Sequence, residues 1–246
     1  MLIDVITIFP EMFAPVLGAS ILGRAQAAGR LRIQTHNLRD YTHDRHRSVD
    51  DRPYGGGPGM VMRVEPIFEA VEAIRQRHCE GHGSRGACET LLMSPSGERL
   101  SSPLAETLAG AAHLIIICGH YEGIDERVRE LASRAISIGD YVLTGGELPA
   151  MVLIDAVARF VPGVIGHAQA TDEESFKSGW LEYPHYTRPP VFRGLSVPEI
   201  LRSGNHGRIA RWRKLQAVAR TLAARPDLAG DAPPSQGAGS PEAARE

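Results

Sequence analysis

The chain has too few cysteines for a disulfide framework. Three in 246 residues, Cys79, Cys88 and Cys118, are an odd number and point to a reducing compartment. It also lacks a long hydrophobic run. The stretch 114–118 is only a strand's length, against the ~20 residues that cross a bilayer. Neither sign of charge dominates: 27 Lys and Arg stand against 29 Asp and Glu, a net charge of -2. That excludes a chain that is basic throughout, although a neutral sum can hide a basic patch. The opening MLIDVITIFPEMF has no basic stretch, and Asp4 and Pro10 interrupt it, so it reads as a first strand rather than a signal peptide. These features together predict a soluble cytoplasmic protein without a membrane segment. The chain also has neither a GxxxxGK(S/T) phosphate loop nor a GxGxxG turn opening a helix.

What is present is an ordinary globular composition, 43% hydrophobic and 23% charged, with length enough for one large domain or two smaller ones. Residues 2–9, 31–37, 90–93, 114–118 and 135–138 read as strands. Most are nearly continuous in Ile, Leu and Val, as in a sheet covered on both faces. Helical patterns fall at 65–77, at 104–109 behind a Ser102-Pro103 start, at 125–133 and at 149–160. Strands alternating with helices predict an α/β domain with a mainly parallel sheet.

Beyond residue 160 the character changes. Residues 166–179 are polar, with the acidic run Asp172-Glu173-Glu174, and read as a linker. A short helix is predicted near 198–202 and a longer one from Arg208, with the apolar stripe Ile209, Trp212, Leu215, Val218 and Leu222. Between residues 179 and 220 eight Lys and Arg face two acids, with Tyr183, His185, Tyr186, Phe192 and Trp212 among them. Basic residues interleaved with aromatics suit a phosphate backbone, or equally a solvated helix face over a small core. Residues 229–246 contain no Leu, Ile, Val or Phe and are expected to be a disordered tail.

Three loops after predicted strands are rich in glycine: Ser94 to Gly97, Cys118 to Gly123, and Ser137 to Pro149. In an open parallel sheet such loops line the ligand crevice. Without a lysine placed for phosphate, they favour a ligand read by backbone and apolar contacts, such as an adenosyl group. A fourth cluster, residues 50–60, follows a run of Arg, Asp and His and suits an RNA backbone or an extruded base. His78, Cys79, His82 and Cys88 crowd together, but their spacing matches no zinc pattern, so no metal ligands are assigned.

Seven segments carry a resemblance that runs in order from residue 2 to about residue 213. They are IDVITIFPEMF, RDYTHDRHRSVDDRPYGGGPGMVM, SPSGERL, CGHYEGIDERV, SIGDYVLTGGELPAMVLIDAVARFVPGVIG, PHYTRP and SGNHGRIARWR. The chain resembles the bacterial tRNA (guanine-N1)-methyltransferases of the SPOUT superfamily. The resemblance implies a SPOUT-type trefoil-knotted parallel sheet flanked by helices, plus a small C-terminal helical domain. It implies a knotted donor-binding domain at 1–163, a flexible linker carrying the general base at 164–179, a basic tRNA-binding domain at 180–228, and the tail. The implied reaction uses S-adenosylmethionine to methylate N1 of the guanosine just 3′ of the anticodon in tRNA. A homodimer with the site at its interface and a requirement for Mg²⁺, with ligands unknown, are implied as well.

Carried onto this sequence, the family's donor-binding positions fall on Leu92, Met93, Ser94, Pro95, Gly119, Ile138, Gly139, Asp140, Tyr141, Val142, Leu143, Gly145, Gly146 and Pro149. Glu122, Gly59, Arg188 and His185 would contact the substrate. Arg159 matches the catalytic arginine, and the general base, an acid before Ser-Phe, falls on Glu174. The family usually has aspartate there, and Asp172 is a second candidate. It often has arginine where this chain has His120. From spacing alone, Arg159 also suits a plain helix ion pair with Asp155. Another SPOUT RNA methyltransferase with a different base target, or a non-catalytic tRNA-binding protein, are the alternative readings.

Overall fold

Apolar residues at every position of a short strand need cover on both faces, and His113–Ile117 has that cover. Leu114 and Ile116 enter one core, Ile115 and Ile117 the other. A computed structural model describes residues 1–78, 88–166, 174–177 and 179–229. Cys79, His82, Asp172, most of the expected linker and residues 230–246 lie outside the described residues. The chain divides into two compact units, Met1–Ala168 and Gln169–Glu246.

The first unit runs β1 (Leu2–Thr7), α1 (Ala14–Leu17), α2 (Ser20–Ala27), β2 (Arg32–Asn37), β3 (Asp50–Asp51), β4 (Val61–Met62), α3 (Val64–His78), β5 (Cys88–Arg99), α4 (Ser102–Ala109), β6 (His113–Ile117), β7 (Arg134–Ser137) and α5 (Glu147–Ala158). Five strands form a parallel sheet in the order β2-β1-β6-β5-β7. This is the α/β arrangement expected from the alternating pattern. One core packs α1, α2, α4 and α5 on one face, and the other packs α3 and the turn Glu126–Leu131 on the opposite face.

Three details differ from the sequence reading. Residues 94–97 are not a strand-to-helix loop but an irregularity inside the longer β5, whose register on β7 shifts between Met93 and Glu98. A Cβ on Gly97 would lie 2.4–2.5 Å from the Ala135 and Ile136 backbone, so only glycine lets the strand continue there. The cap of α4 is Ser101, one residue early, whose hydroxyl accepts from the Leu104 amide at 3.4 Å. The glycine-rich cluster at 50–60, expected as a loop, begins in β3, which pairs antiparallel with β4 just beyond it.

The second unit contains β8 (Val191–Phe192), β9 (Leu195–Ser196), α6 (Glu199–Arg202) and α7 (His206–Ala224). Arg193 and Gly194 both have positive φ and turn the chain between β8 and β9. Asn205 caps α7 by accepting from the Arg208 amide at 3.1 Å, so the helix begins at His206, two residues before the expected start. The expected stripe is only partly covered: Leu215 and Leu222 are exposed, and the buried residue is Thr221. Its hydroxyl donates to the Ala217 carbonyl and accepts from the Leu181 amide, both at 2.8 Å, so the buried polar group is satisfied.

One acid is fully buried in the sheet. Asp4 accepts from His36 Nε2 and His113 Nε2, each at 2.6 Å. Burial pushes its carboxyl up, but the hydrogen bonds and charge of His113 and His36 outweigh that and hold it at about 2. A depressed carboxylate contributes its stability above the ordinary value near 3.8 and loses it as pH falls toward 2. Asp4→Asn is predicted to cost about 2 kcal/mol at neutral pH. In urea unfolding, its deficit against the wild type should shrink between pH 4 and pH 2.

Candidate active site

The carboxyl ends of β6 and β7 and the irregular stretch of β5 after Met93 open into one cleft of the first unit. Its walls are the segment after Met93, the loop after Ile117 and the loop after Ser137. This is where an open parallel sheet places its ligands. Two of these loops touch backbone to backbone. The Gly146 amide donates to the Gly119 carbonyl at 2.7 Å. A Cβ on Gly146 would lie 2.8 Å from both Cys118 Cα and Gly119 N, so the crossing demands glycine. Gly139 has φ +151° in a conformation reserved for glycine, and Ser137 Oγ accepts from its amide at 3.2 Å.

Of the donor-binding positions expected from the resemblance, Leu92, Met93, Ser94, Pro95, Gly119, Ile138, Gly139, Tyr141, Val142, Leu143, Gly145, Gly146 and Pro149 line this cleft. Asp140 is not among the lining residues; its exposed carboxylate lies 4.0 Å from Arg99. Glu122 lines the same cleft and is half of a close contact. A Cβ on Gly59 would fall 2.3 Å from Glu122 Cγ, and the Glu122 amide donates to the Met60 carbonyl at 3.0 Å. The Met62 amide donates to the Gly123 carbonyl and the Asp125 amide to the Met62 carbonyl, so the β3–β4 hairpin lies along the 122–125 wall. Gly59 and Glu122, far apart in sequence, are thereby brought together.

Arg159 is half-buried just past the end of α5 and is not among the cleft-lining residues. Glu174, His185 and Arg188 belong to the second unit. There His185 Nε2 lies 2.7 Å from Glu182 Oε1 and its ring lies 4.8 Å from that of Tyr183, while Arg188 is exposed. The Arg213 guanidinium sits 4.6 Å from the centre of the Tyr183 ring.

The expected donor positions omitted His120 and Thr144, which lie in loops expected to line the crevice, and Arg129, which lies outside them. Arg129 donates to Ser96 Oγ at 2.6 Å and pairs with Glu126, which ties the irregular part of β5 to the turn after β6. The signal for His120 was its place between Gly119 and Glu122. For Arg129 no local pattern pointed to the cleft. The lining is mostly backbone and apolar side chains, suited to an uncharged ring system with a few polar handles. Among the described residues, no group of three His, Cys, Asp or Glu is placed to hold a metal ion. No helix among them is long and apolar enough to cross a membrane.

Comparison with known proteins fits this geometry. The profile of the family described as tRNA (Guanine-1)-methyltransferase TrmD matches residues 1–231. A tRNA (guanine-N(1)-)-methyltransferase from Moorella thermoacetica is 57% identical over 229 residues, covering 93% of this chain and 90% of that protein. Proteins of the same name from Dictyoglomus turgidum and Thermomicrobium roseum are 54% and 57% identical over 226 residues. Each of those matches covers 92% of this chain, with 89% of the first protein and 82% of the second. With a family match across nearly all its length and relatives well above half identical, the chain belongs to the TrmD family of tRNA (guanine-N1)-methyltransferases and is an enzyme of that class.

Proposed function

We propose that the chain methylates N1 of the guanosine immediately 3′ of the anticodon in tRNA, with S-adenosylmethionine as methyl donor. The observation that carries this reading is the cleft between the β6 and β7 ends and the irregular stretch of β5, built mostly from backbone and apolar side chains. Its shape suits an adenosyl group: Gly139 and Gly146 hold the loop backbones where side chains would intrude. Leu92 to Pro95, Gly119, Ile138, Gly139, Tyr141, Val142, Leu143, Gly145, Gly146 and Pro149 are the donor-binding residues of this proposal. When bound, the donor supplies an electrophilic methyl group on a sulfonium.

The protein's own residues prepare the nucleophile. Guanine N1 carries a proton and attacks poorly until it is removed. Glu174 is the proposed acceptor of that proton, with Asp172 the second candidate. Loss of the proton builds negative charge on O6, which the Arg159 guanidinium stabilises. The N1–methyl bond forms as the sulfur–methyl bond breaks, and no covalent protein intermediate is needed. Glu122, held by the Gly59 loop, reads the guanine edge, while Arg188 and His185 in the basic second unit contact the tRNA. The segment 164–179 is the proposed linker that carries the general base.

The chain path is proposed to be the trefoil knot of the SPOUT superfamily, and the Gly146–Gly119 contact between the loops after β6 and β7 supports it. The working form is proposed to be a cytoplasmic homodimer that uses Mg²⁺. In support of a partner surface, Leu148 and Val152 lie exposed at helical spacing along α5, on the face that continues to Arg159.

Two experiments test this reading. Labelled methyl transfer is expected to a tRNA with guanosine 3′ of the anticodon and not to one with adenosine there. Glu174→Gln and Arg159→Gln should each lower kcat about 100-fold or more, whereas Asp172→Asn should retain activity. Transfer to both tRNAs, or a fully active Glu174→Gln, would contradict the proposal. Gly59→Ala should displace Glu122, lowering kcat/KM for tRNA by about tenfold or more while donor affinity measured by calorimetry stays unchanged.

A further inference from the structure

Next to the cleft lining, between Gly146 and Pro149, lies a buried acid that the proposed chemistry does not use. Glu147, the first residue of α5, is only 2% exposed. Its Oε1 accepts from the Thr7 hydroxyl at 2.8 Å. Its Oε2 faces His120 Nδ1 at 3.8 Å, inside ion-pair range but too long for a hydrogen bond. That nitrogen is buried and has no hydrogen-bond partner among the described residues. Gly145 stands at the gap: its missing Cβ would lie 2.3 Å from Glu147 Oε2 and 2.5 Å from His120 Nδ1.

The two groups belong to different walls. His120 sits on the loop after β6 and lines the cleft; Glu147 closes the loop after β7. The His120 and Gly145 backbones form an antiparallel bridge. The imidazole lies edge-on to Phe9 and Tyr121, with centroids 5.0 and 5.1 Å away, and its amide donates to Met62 Sδ at 3.1 Å. The ring is therefore already aimed at the carboxylate, and what separates the pair from a charged hydrogen bond is a proton on Nδ1 and less than one ångström.

Resting on the reading of this cleft as the donor site, we infer that His120 and Glu147 are positioning residues that form a proton-operated latch between the two loops. Protonation of His120 draws its ring onto Glu147 and fixes the β6 and β7 loops around the adenosyl group. An imidazole is the side chain that gains a proton in the physiological range. Among the described residues no hydrogen bond reaches Glu147 Oε2, and a carboxylate oxygen so placed favours a nearby cation. The other groups packed around the pair do not supply one. Cys118, just after β6, is a thiol held protonated by burial and then by the charge of Glu147. Tyr121 faces Asp50 of β3, and Arg39 near it donates instead to the Ile8 carbonyl at 2.6 Å. Glu122 is a second acid on the same loop, and Thr7 of β1 is neutral. By linkage, a donor that tightens the loops raises the proton affinity of His120, and protonation tightens the donor by the same factor.

The test is calorimetric titration of the full chain with S-adenosylhomocysteine, which lacks the sulfonium charge, at steps between about pH 5.5 and pH 8.5. Wild type and His120→Asn are compared, because the ligand's own amine titrates equally in both. Wild-type affinity relative to the variant is expected to rise about tenfold toward the acid end, the effect of a one-unit coupled shift. Carbon-13-labelled histidine gives an independent readout: the His120 titration midpoint should move up when S-adenosylhomocysteine is added. Parallel pH profiles, or an unmoved midpoint with ligand bound, would overturn the latch while leaving the donor site standing. Absence of binding at every pH in the wild type would overturn the donor site and the latch with it.

Discussion

Two loops of this protein meet where there is no room for a side chain. Gly146 donates its amide to the Gly119 carbonyl, and a single methyl group there would strike the Cys118 and Gly119 backbone. The loops follow β6 and β7, which flank β5 on either side. Fixing their crossing fixes the mouth of the sheet between them. The cleft is thus formed by folding, and a ligand entering it meets loops already ordered. The two apolar cores on opposite faces of the sheet hold the strands from which these loops spring.

Buried charge is handled in two distinct ways. Asp4 lies early in β1 and is satisfied twice, by His36 and His113, so its role is to complete the core. Glu147 lies behind the cleft lining, beside Gly146, and accepts from Thr7 with one oxygen while the other faces His120. A fully paired carboxylate rigidifies, whereas a half-paired one facing an imidazole can respond to a proton. The cleft otherwise offers mostly backbone and apolar surface, and the density of positive charge belongs to the second unit, with Arg193, Arg202, Arg208 and Arg211 exposed. That division matches a chemistry in which a neutral ring system and a polyanion are held by different parts of one chain.

Much of the fold could be read from the residues because its cause is local. Continuous Ile and Leu at 114–117 demanded a doubly covered strand, and Ile67, Val71 and Ile74 marked the buried side of α3. What escaped has tertiary causes. The 94–97 stretch looked like a loop because Pro95 and Gly97 are turn residues, yet Gly97 is there to pack on the β7 backbone. Periodicity in α7 favoured Leu215 and Leu222 for the interior, while the buried place went to Thr221, whose hydroxyl finds two backbone partners. Most of the cleft residues were recognisable through the resemblance, since the glycine-rich segments are contiguous in sequence. Composition alone located the loops and suggested an adenosyl ligand. The Gly59–Glu122 contact and the place of His120 opposite Glu147 depend on backbone paths that no local pattern encodes.

The central claim is that the preformed cleft between the β6 and β7 ends and the irregular stretch of β5 receives the adenosyl donor. Amide hydrogen exchange with and without S-adenosylhomocysteine tests it most directly. Added protection confined to residues 92–95, 119–124 and 137–147 is the result this account predicts. Unchanged exchange in those segments under saturating ligand, or protection concentrated in the second unit, would contradict it.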